Sequence, residues 1–298
     1  MRNRNNDSTH FARHELMKIV PIDNKLSLTN DGNLEVFFIG TGSAFAKTHY
    51  QTNFLIIKGD KHILVDFGTT GSVALEATAG LQVPDIEVFL PTHSHSDHIG
   101  GVECLALMNR YVGIKFMNKP KLTMLINEPY EKVLWDMSLR GGMEWNEVNG
   151  EGKRLRFADF FNVVRPTLKT REPREIWEVN YGDIHIELFL TNHIPEQAPS
   201  SEEAFITYGL FIDNRIFISG DTKFDRALID MYADRSEWMF HDTQINPNPV
   251  HACLPELKTL PKEITQKMFL MHYPDNAQTN AIDEFAGWTE QGMRYIFD

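Results

Sequence analysis

The chain has 298 residues, 42% of them hydrophobic, and a formal net charge of −12 at pH 7. That is enough apolar side chain for one large domain or two small ones, and no run approaches the roughly 18 apolar residues of a membrane span. The acidic balance argues against a broad electrostatic grip on nucleic acid, and the two isolated cysteines, Cys104 and Cys253, argue against a disulfide framework or a thiolate zinc site.

Residues 1 to about 30 are polar and poorly patterned. They lack the apolar stretch of a signal peptide, so a cytoplasmic protein is expected, with an N-terminal extension or added edge strand over 1–30 and a single domain over 31–298. LEVFFIGTG (34–42), TNFLIIKGD (52–60) and KHILVDFG (61–68) are β-branched and aromatic runs broken by glycine, as strands joined by turns require. GSVALEATAG reads as a helix, IEVFLPTH (86–93) as a buried strand and GGVECLALMNRYV as a second helix. KLTMLINE then reads as a strand, and PYEKVLWDMSLRGGMEW as a helix running into a Gly-Gly break, followed by an unpatterned connector. DIHIELFLTNH, FITYGLFIDN and RIFISGDT return to strand, and FDRALIDMYA is helical. WMFHDTQI and KMFLMHYP are strands, and NAIDEFAGWTEQG is expected to be a terminal helix. Two strand-rich halves with interspersed helices predict an α/β protein with two sheets face to face and helices outside, a four-layer αββα sandwich.

The stretch LPTHSHSDHIGG (90–101) places His93, His95, Asp97 and His98 within six positions. A lone histidine near a strand end is ordinarily a hydrogen-bonded structural residue, but folding has no use for four such groups in one turn. His193, His241, His251 and His272 follow or lie close to the ends of expected strands, where side chains from distant segments can converge on one sheet edge. Imidazole and carboxylate ligands suit zinc or manganese. His93 and His95, two apart on an extended segment, point the same way, while Asp97 and His98 face elsewhere, toward a second cation. Asp221, in ISGDT, is the natural carboxylate to bridge the two.

With these residues in place the chain resembles the metallo-β-lactamase fold superfamily, whose HxHxDH signature is met by His93, His95, Asp97 and His98. The resemblance runs over nearly the whole chain from Gly40 onward and implies that fold. It implies that His93, His95 and His193 hold one divalent ion, and Asp97, His98 and His272 another, with Asp221 between them. GTGSA (40–44) and His193 followed by Ile-Pro are more similar to the phosphodiesterase branch around tRNase Z. In that branch a late acidic residue orients a histidine that protonates the leaving oxygen, which here implies Asp242 and His251. His241 stands as a core residue or a member of the same group. The branch's tRNA-gripping arm has no counterpart: only 27 residues separate His193 from Asp221, and they read as a loop plus a hairpin.

The chain looks similar to compact relatives of the anti-Pycsar type, which degrade cyclic mononucleotide signals of antiphage defence, and LWDMSLRGGMEW (134–145) resembles a stretch in them. The resemblance implies hydrolysis of cUMP, cCMP, cAMP or cGMP by metal-bound hydroxide, with zinc, or alternatively manganese, as the metal, and a homodimer. Asp97 then serves as ligand and base, and Asp66 as the group that fixes a ligand ring. RNA is the weaker substrate expectation, as a tRNase Z-like 3′-end endonuclease; a β-lactamase-like or thioesterase-like hydrolase and a non-catalytic scaffold are further alternatives. Phe45, His49, Tyr50, Trp135 and Trp145 are candidates to stack a base, although aromatics in such segments ordinarily pack. Arg140-Gly-Gly is a candidate lid or subunit contact, or an ordinary helix stop.

Overall fold

The computed structural model describes residues 17–298; the part of the expected extension over 1–16 lies outside the described residues. In chain order, β1 (Met17–Pro21), β2 (Leu34–Gly40), β3 (Asn53–Lys58), β4 (Lys61–Val65), β5 (Val88–Leu90), β6 (Thr123–Leu125) and β7 (Asn162–Val164) build one sheet. The second sheet takes β8 (Thr167–Thr170), β9 (Ile176–Tyr181), β10 (Ile184–Leu190), β11 (Tyr208–Ile212), β12 (Ile216–Ile218), β13 (Trp238–Asp242), β14 (Met268–Met271) and β15 (Gly287–Trp288). A last strand, β16 (Met293–Phe297), returns to the first sheet and lies between β1 and β2.

Alternation along the strands produces the layering. Leu210, Ile212, Ile216, Ile218 and Phe240 face the first sheet, whereas Phe211, Phe217 and Met239 point the other way, into a cluster with Leu228, Ile229 and Tyr232 of the helix Arg226–Ala233. That helix is opened by Asp225, whose side chain accepts from Leu228 N–H. On the first sheet the helix Gly71–Ala79 packs against β2 through Ala74, Leu75 and Ala79. Between the sheets the Phe38 ring lies 5.1 Å from Phe240, and Tyr295 meets both edge-on at 5.6 and 5.2 Å. The protein is a four-layer αββα sandwich.

The site is positioned by strand direction. β4 to β7 run parallel, as do β12 to β15. In such sheets the chain leaves the carboxyl ends of the strands on one side, which is where ligands bind.

Two expectations need correction. No helix forms over 280–292: the spacing of Ile282, Phe285 and Trp288 imitates a helical face, but Gly287 (φ +155°) and Gly292 (φ +75°) take backbone conformations that end helices. Instead the segment gives turns and β15. The glycines at 141–142 do not stop their helix either; it runs from Glu128 through a π-helical stretch, Leu134–Leu139, to Met143. A Cβ on Gly142 would lie 2.5 Å from the Glu103 carboxylate, so the glycine permits close approach to a neighbouring helix. The unpatterned connector contains β7 and β8, and β9 follows it. Between His193 and Asp221 stand a loop and the β11–β12 hairpin.

Candidate metal centre

The loop after β5 carries His93 and His95, the latter in extended backbone, and turns at Ser96 into a four-residue helix holding Asp97 and His98. His193 follows β10, Asp221 follows β12 and His272 follows β14. All seven side chains meet. His95 Nδ1 lies 3.0 Å from His93 Nε2 and 3.2 Å from His193 Nε2. Asp221 Oδ2 is at the middle, 3.3 Å from His98 Nε2, 3.4 Å from His272 Nε2 and 3.7 Å from both His93 Nε2 and His193 Nε2. Asp97 Oδ2 closes the second group, 3.2 Å from His98 Nε2 and 3.8 Å from His272 Nε2. One ligand atom from each of His93, His95, His193 and Asp221 falls within 4.8 Å of the others, and the same holds for Asp97, His98, Asp221 and His272.

Three of the rings, those of His98, His193 and His251, are held from behind. Asp66, on a left-handed backbone (φ +57°) after β4, places Oδ2 2.7 Å from His98 Nδ1, and it accepts from Thr92 N–H and Thr92 Oγ1, both at 2.7 Å. His193 Nδ1 lies 2.8 Å from Val250 O. His251 Nδ1 lies 2.7 Å from Asp242 Oδ2, which also accepts from Thr222 N–H at 3.1 Å. The His251 ring stacks on His272 at 5.2 Å and leans on His193 at 4.7 Å. Such rear contacts fix the tautomer and the direction in which the free nitrogen points.

Electrostatics distinguish the rings. Burial holds His93 well below the ordinary histidine range and pushes His193 down to about 4, so both are neutral at pH 7, as a metal ligand must be. Burial also opposes charge on His98, but Asp221, Asp97 and Asp66 outweigh it and raise that group. The centre therefore carries an excess of buried carboxylate and draws in positive charge. Three of its inward atoms, Asp221 Oδ2, His98 Nε2 and His272 Nε2, are buried with no aligned hydrogen-bond partner. Unpaired buried polar atoms of this kind are costly unless a ligand satisfies them, and this imidazole and carboxylate donor set fits divalent cations.

The family model described as anti-Pycsar protein Apyc1 matches residues 34–295. The chain belongs to this family. It is 35% identical over 251 residues to an anti-Pycsar protein Apyc1 of Paenibacillus xerothermodurans, covering 83% of this chain and 90% of that one. It is 33% identical over 269 residues to one from Bacillus phage vB_BsuM-Goe3, covering 87% and 96%. Among solved structures the metallo-β-lactamase fold protein YhfI of Bacillus subtilis aligns with a TM-score of 0.64 at 16% identity, over 89% of this chain and 99% of that one. The short form of human tRNase Z aligns with a TM-score of 0.58 at 15% identity, over 87% and 98%. These likenesses establish the metallo-β-lactamase fold for this Apyc1 family member.

Other sequence candidates lie outside the ligand set. In this family member His241 is fully buried, with Nδ1 2.7 Å from Asp242 O and its ring near Phe217, so it packs in the core. Trp135 packs against Phe157 and Phe160, whereas Phe45 and Trp145 are exposed. Sequence reasoning missed Thr92 and the Ser94 Oγ to Tyr130 hydroxyl bond of 3.2 Å, which links the metal loop to the helix at Glu128. Hydroxyl residues carry no spacing signal of their own. Among the described residues no helix is long and apolar enough to cross a membrane.

Proposed function

We propose that the chain is a two-metal phosphodiesterase that opens cyclic mononucleotides. The observation that carries this reading is a doubled His/Asp cluster sharing Asp221, with His251 Nδ1 4.0 Å from the shared oxygen and held by Asp242. Membership of a family named for opposing Pycsar defence supports cyclic nucleotides as the substrate.

His93, His95 and His193 would hold one cation, Asp97, His98 and His272 the other, and Asp221 both, with zinc the first expectation and manganese the alternative. Cations bound there supply Lewis acidity toward the phosphoryl oxygens and lower the pKa of a water. Asp97 takes the proton of the attacking water, whose oxygen forms the new bond to phosphorus. The ester P–O bond opposite breaks, and His251 gives its proton to the leaving ribose oxygen, so the ring opens to a linear monophosphate. Asp242 keeps the His251 ring turned for that transfer. Asp66 orients His98.

A homodimer, which the family resemblance implies, is tested by light scattering of the purified protein. The reaction is tested with cUMP, cCMP, cAMP, cGMP, a cyclic dinucleotide and a tRNA precursor with a 3′ trailer, with His95→Ala as control. Loss of cyclic mononucleotides with wild type but not the variant supports the proposal. Cleavage of the precursor alone overturns it in favour of an RNA-processing enzyme.

A further inference from the structure

We propose that Phe45 is the platform on which the substrate's base stacks, a role that rests on the phosphodiesterase reading above. Residues 43–50 leave β2 and return toward β3 as a closed loop: Gly42 N–H donates to Tyr50 O at 2.7 Å, and Thr41 N–H to His49 O at 3.0 Å. Asp275, three residues after the ligand His272, clamps the loop's far side. Its carboxylate accepts from Lys47 N–H (2.9 Å), Thr48 N–H (3.1 Å), Thr48 Oγ1 (2.7 Å) and His49 N–H (3.2 Å).

The loop is also tied to both halves of the metal centre. Ser43 N–H donates to Tyr273 O at 2.9 Å, beside His272. Gln51 Nε2 donates to Ala44 O at 2.9 Å, while Gln51 Oε1 accepts from Thr69 Oγ1 at 2.9 Å and packs near Gly68, which lies against the backbone of Asp97. Tyr50 is held at φ +49°, an unfavourable conformation for a bulky residue that persists only where surroundings over-determine it.

On this fixed mount Ala46 is buried and Phe45 is 92% exposed. The loop's other rings are engaged: His49 lies edge-on to Tyr273 at 5.3 Å, and Tyr50 packs on the core. An exposed aromatic ring on a loop whose backbone is fixed through Ser43 to Tyr273, the neighbour of His272, and through Ala44 and Gln51 toward Gly68 beside the Asp97 backbone, is free to stack a nucleobase whose phosphate is bound at the metals. Stacking is tolerant of base identity because every base has a π-face.

The test compares wild type, Phe45→Ala and Phe45→Trp on cyclic nucleotides and on a base-free cyclic phosphate, 1-deoxyribose 3′,5′-cyclic phosphate. In Phe45→Ala the preference in kcat/KM for the nucleotide over the base-free substrate is expected to fall about five- to hundredfold, through KM, and in Phe45→Trp to recover. An unchanged preference in Phe45→Ala overturns the stacking role while leaving the phosphodiesterase reading intact. Wild-type inactivity on every cyclic nucleotide overturns the reading and, with it, the role of Phe45.

Discussion

His251 Nδ1 and Asp242 Oδ2 lie 2.7 Å apart, and this contact decides what the His251 ring can do. It turns the remaining nitrogen away from Asp242 and stabilises the protonated ring. His251→Ala is expected to lower kcat about 10²- to 10⁴-fold with little change in KM, and metal content is retained. Asp242→Asn acts in the same direction. Both deficits shrink with a nitrophenyl ester, whose leaving oxygen needs no proton, and parallel steady-state kinetics on the two substrates check this.

The same contact sets a pH dependence. Burial disfavours charge on His251, yet Asp242, Asp221 and Asp97 outweigh it and raise the group from 6.5 to about 9. A raised value means the acid form is present at neutral pH and is lost as pH rises through it; cations bound beside the ring move that point down. The kcat profile is therefore expected to fall on an alkaline limb centred at or below about pH 9. His251→Ala should lack that limb, which a pH series of kcat for both proteins would show.

Asp66 acts on metal through His98. Asp66→Ala leaves Nδ1 of that ring without its carboxylate and is expected to weaken metal affinity about 10- to 100-fold. Competition with a chromophoric chelator measures this. Asp221→Ala, which removes the shared ligand, is expected to lose both cations and the thermal stabilisation they give, as metal analysis and melting in the presence of zinc would reveal.

Much of this centre was legible because its first half is local. His93, His95, Asp97 and His98 occupy six consecutive positions, and a turn after a strand can present them only together. His193, Asp221 and His272 were legible through their place at strand ends. Asp275 was not, since its partners are more than 220 positions away and nothing in Pro-Asp-Asn marks a clamp. Nor was β9, which is half-exposed and mixes Glu178 and Asn180 with apolar residues. The terminal segment misled because packing at every third residue looks the same on a helix and on a turn-rich surface run, and only its glycines distinguish them.

Stability carries a separate pH signature away from the metals. His62 accepts from Glu87 N–H at 3.2 Å, and burial pushes its ring down to about 4. The unfolded chain takes up this proton below its ordinary 6.5, so the contribution is full above that value and is lost as pH falls toward about 4. The whole effect is about 3 kcal/mol. Between about pH 7.5 and about pH 5.5 the metal-free wild type is expected to lose roughly 1 kcal/mol more than His62→Gln, as denaturant titrations of both would show.

The most direct test of the central claim is phosphorus NMR of a cyclic mononucleotide incubated with metal-loaded protein in water enriched in ¹⁸O. The cyclic ester is expected to convert to a linear monophosphate carrying one ¹⁸O on phosphorus, at a rate that collapses in Asp221→Ala. An unchanged cyclic ester with loaded metals, or a linear product without the isotope on phosphorus, would contradict it.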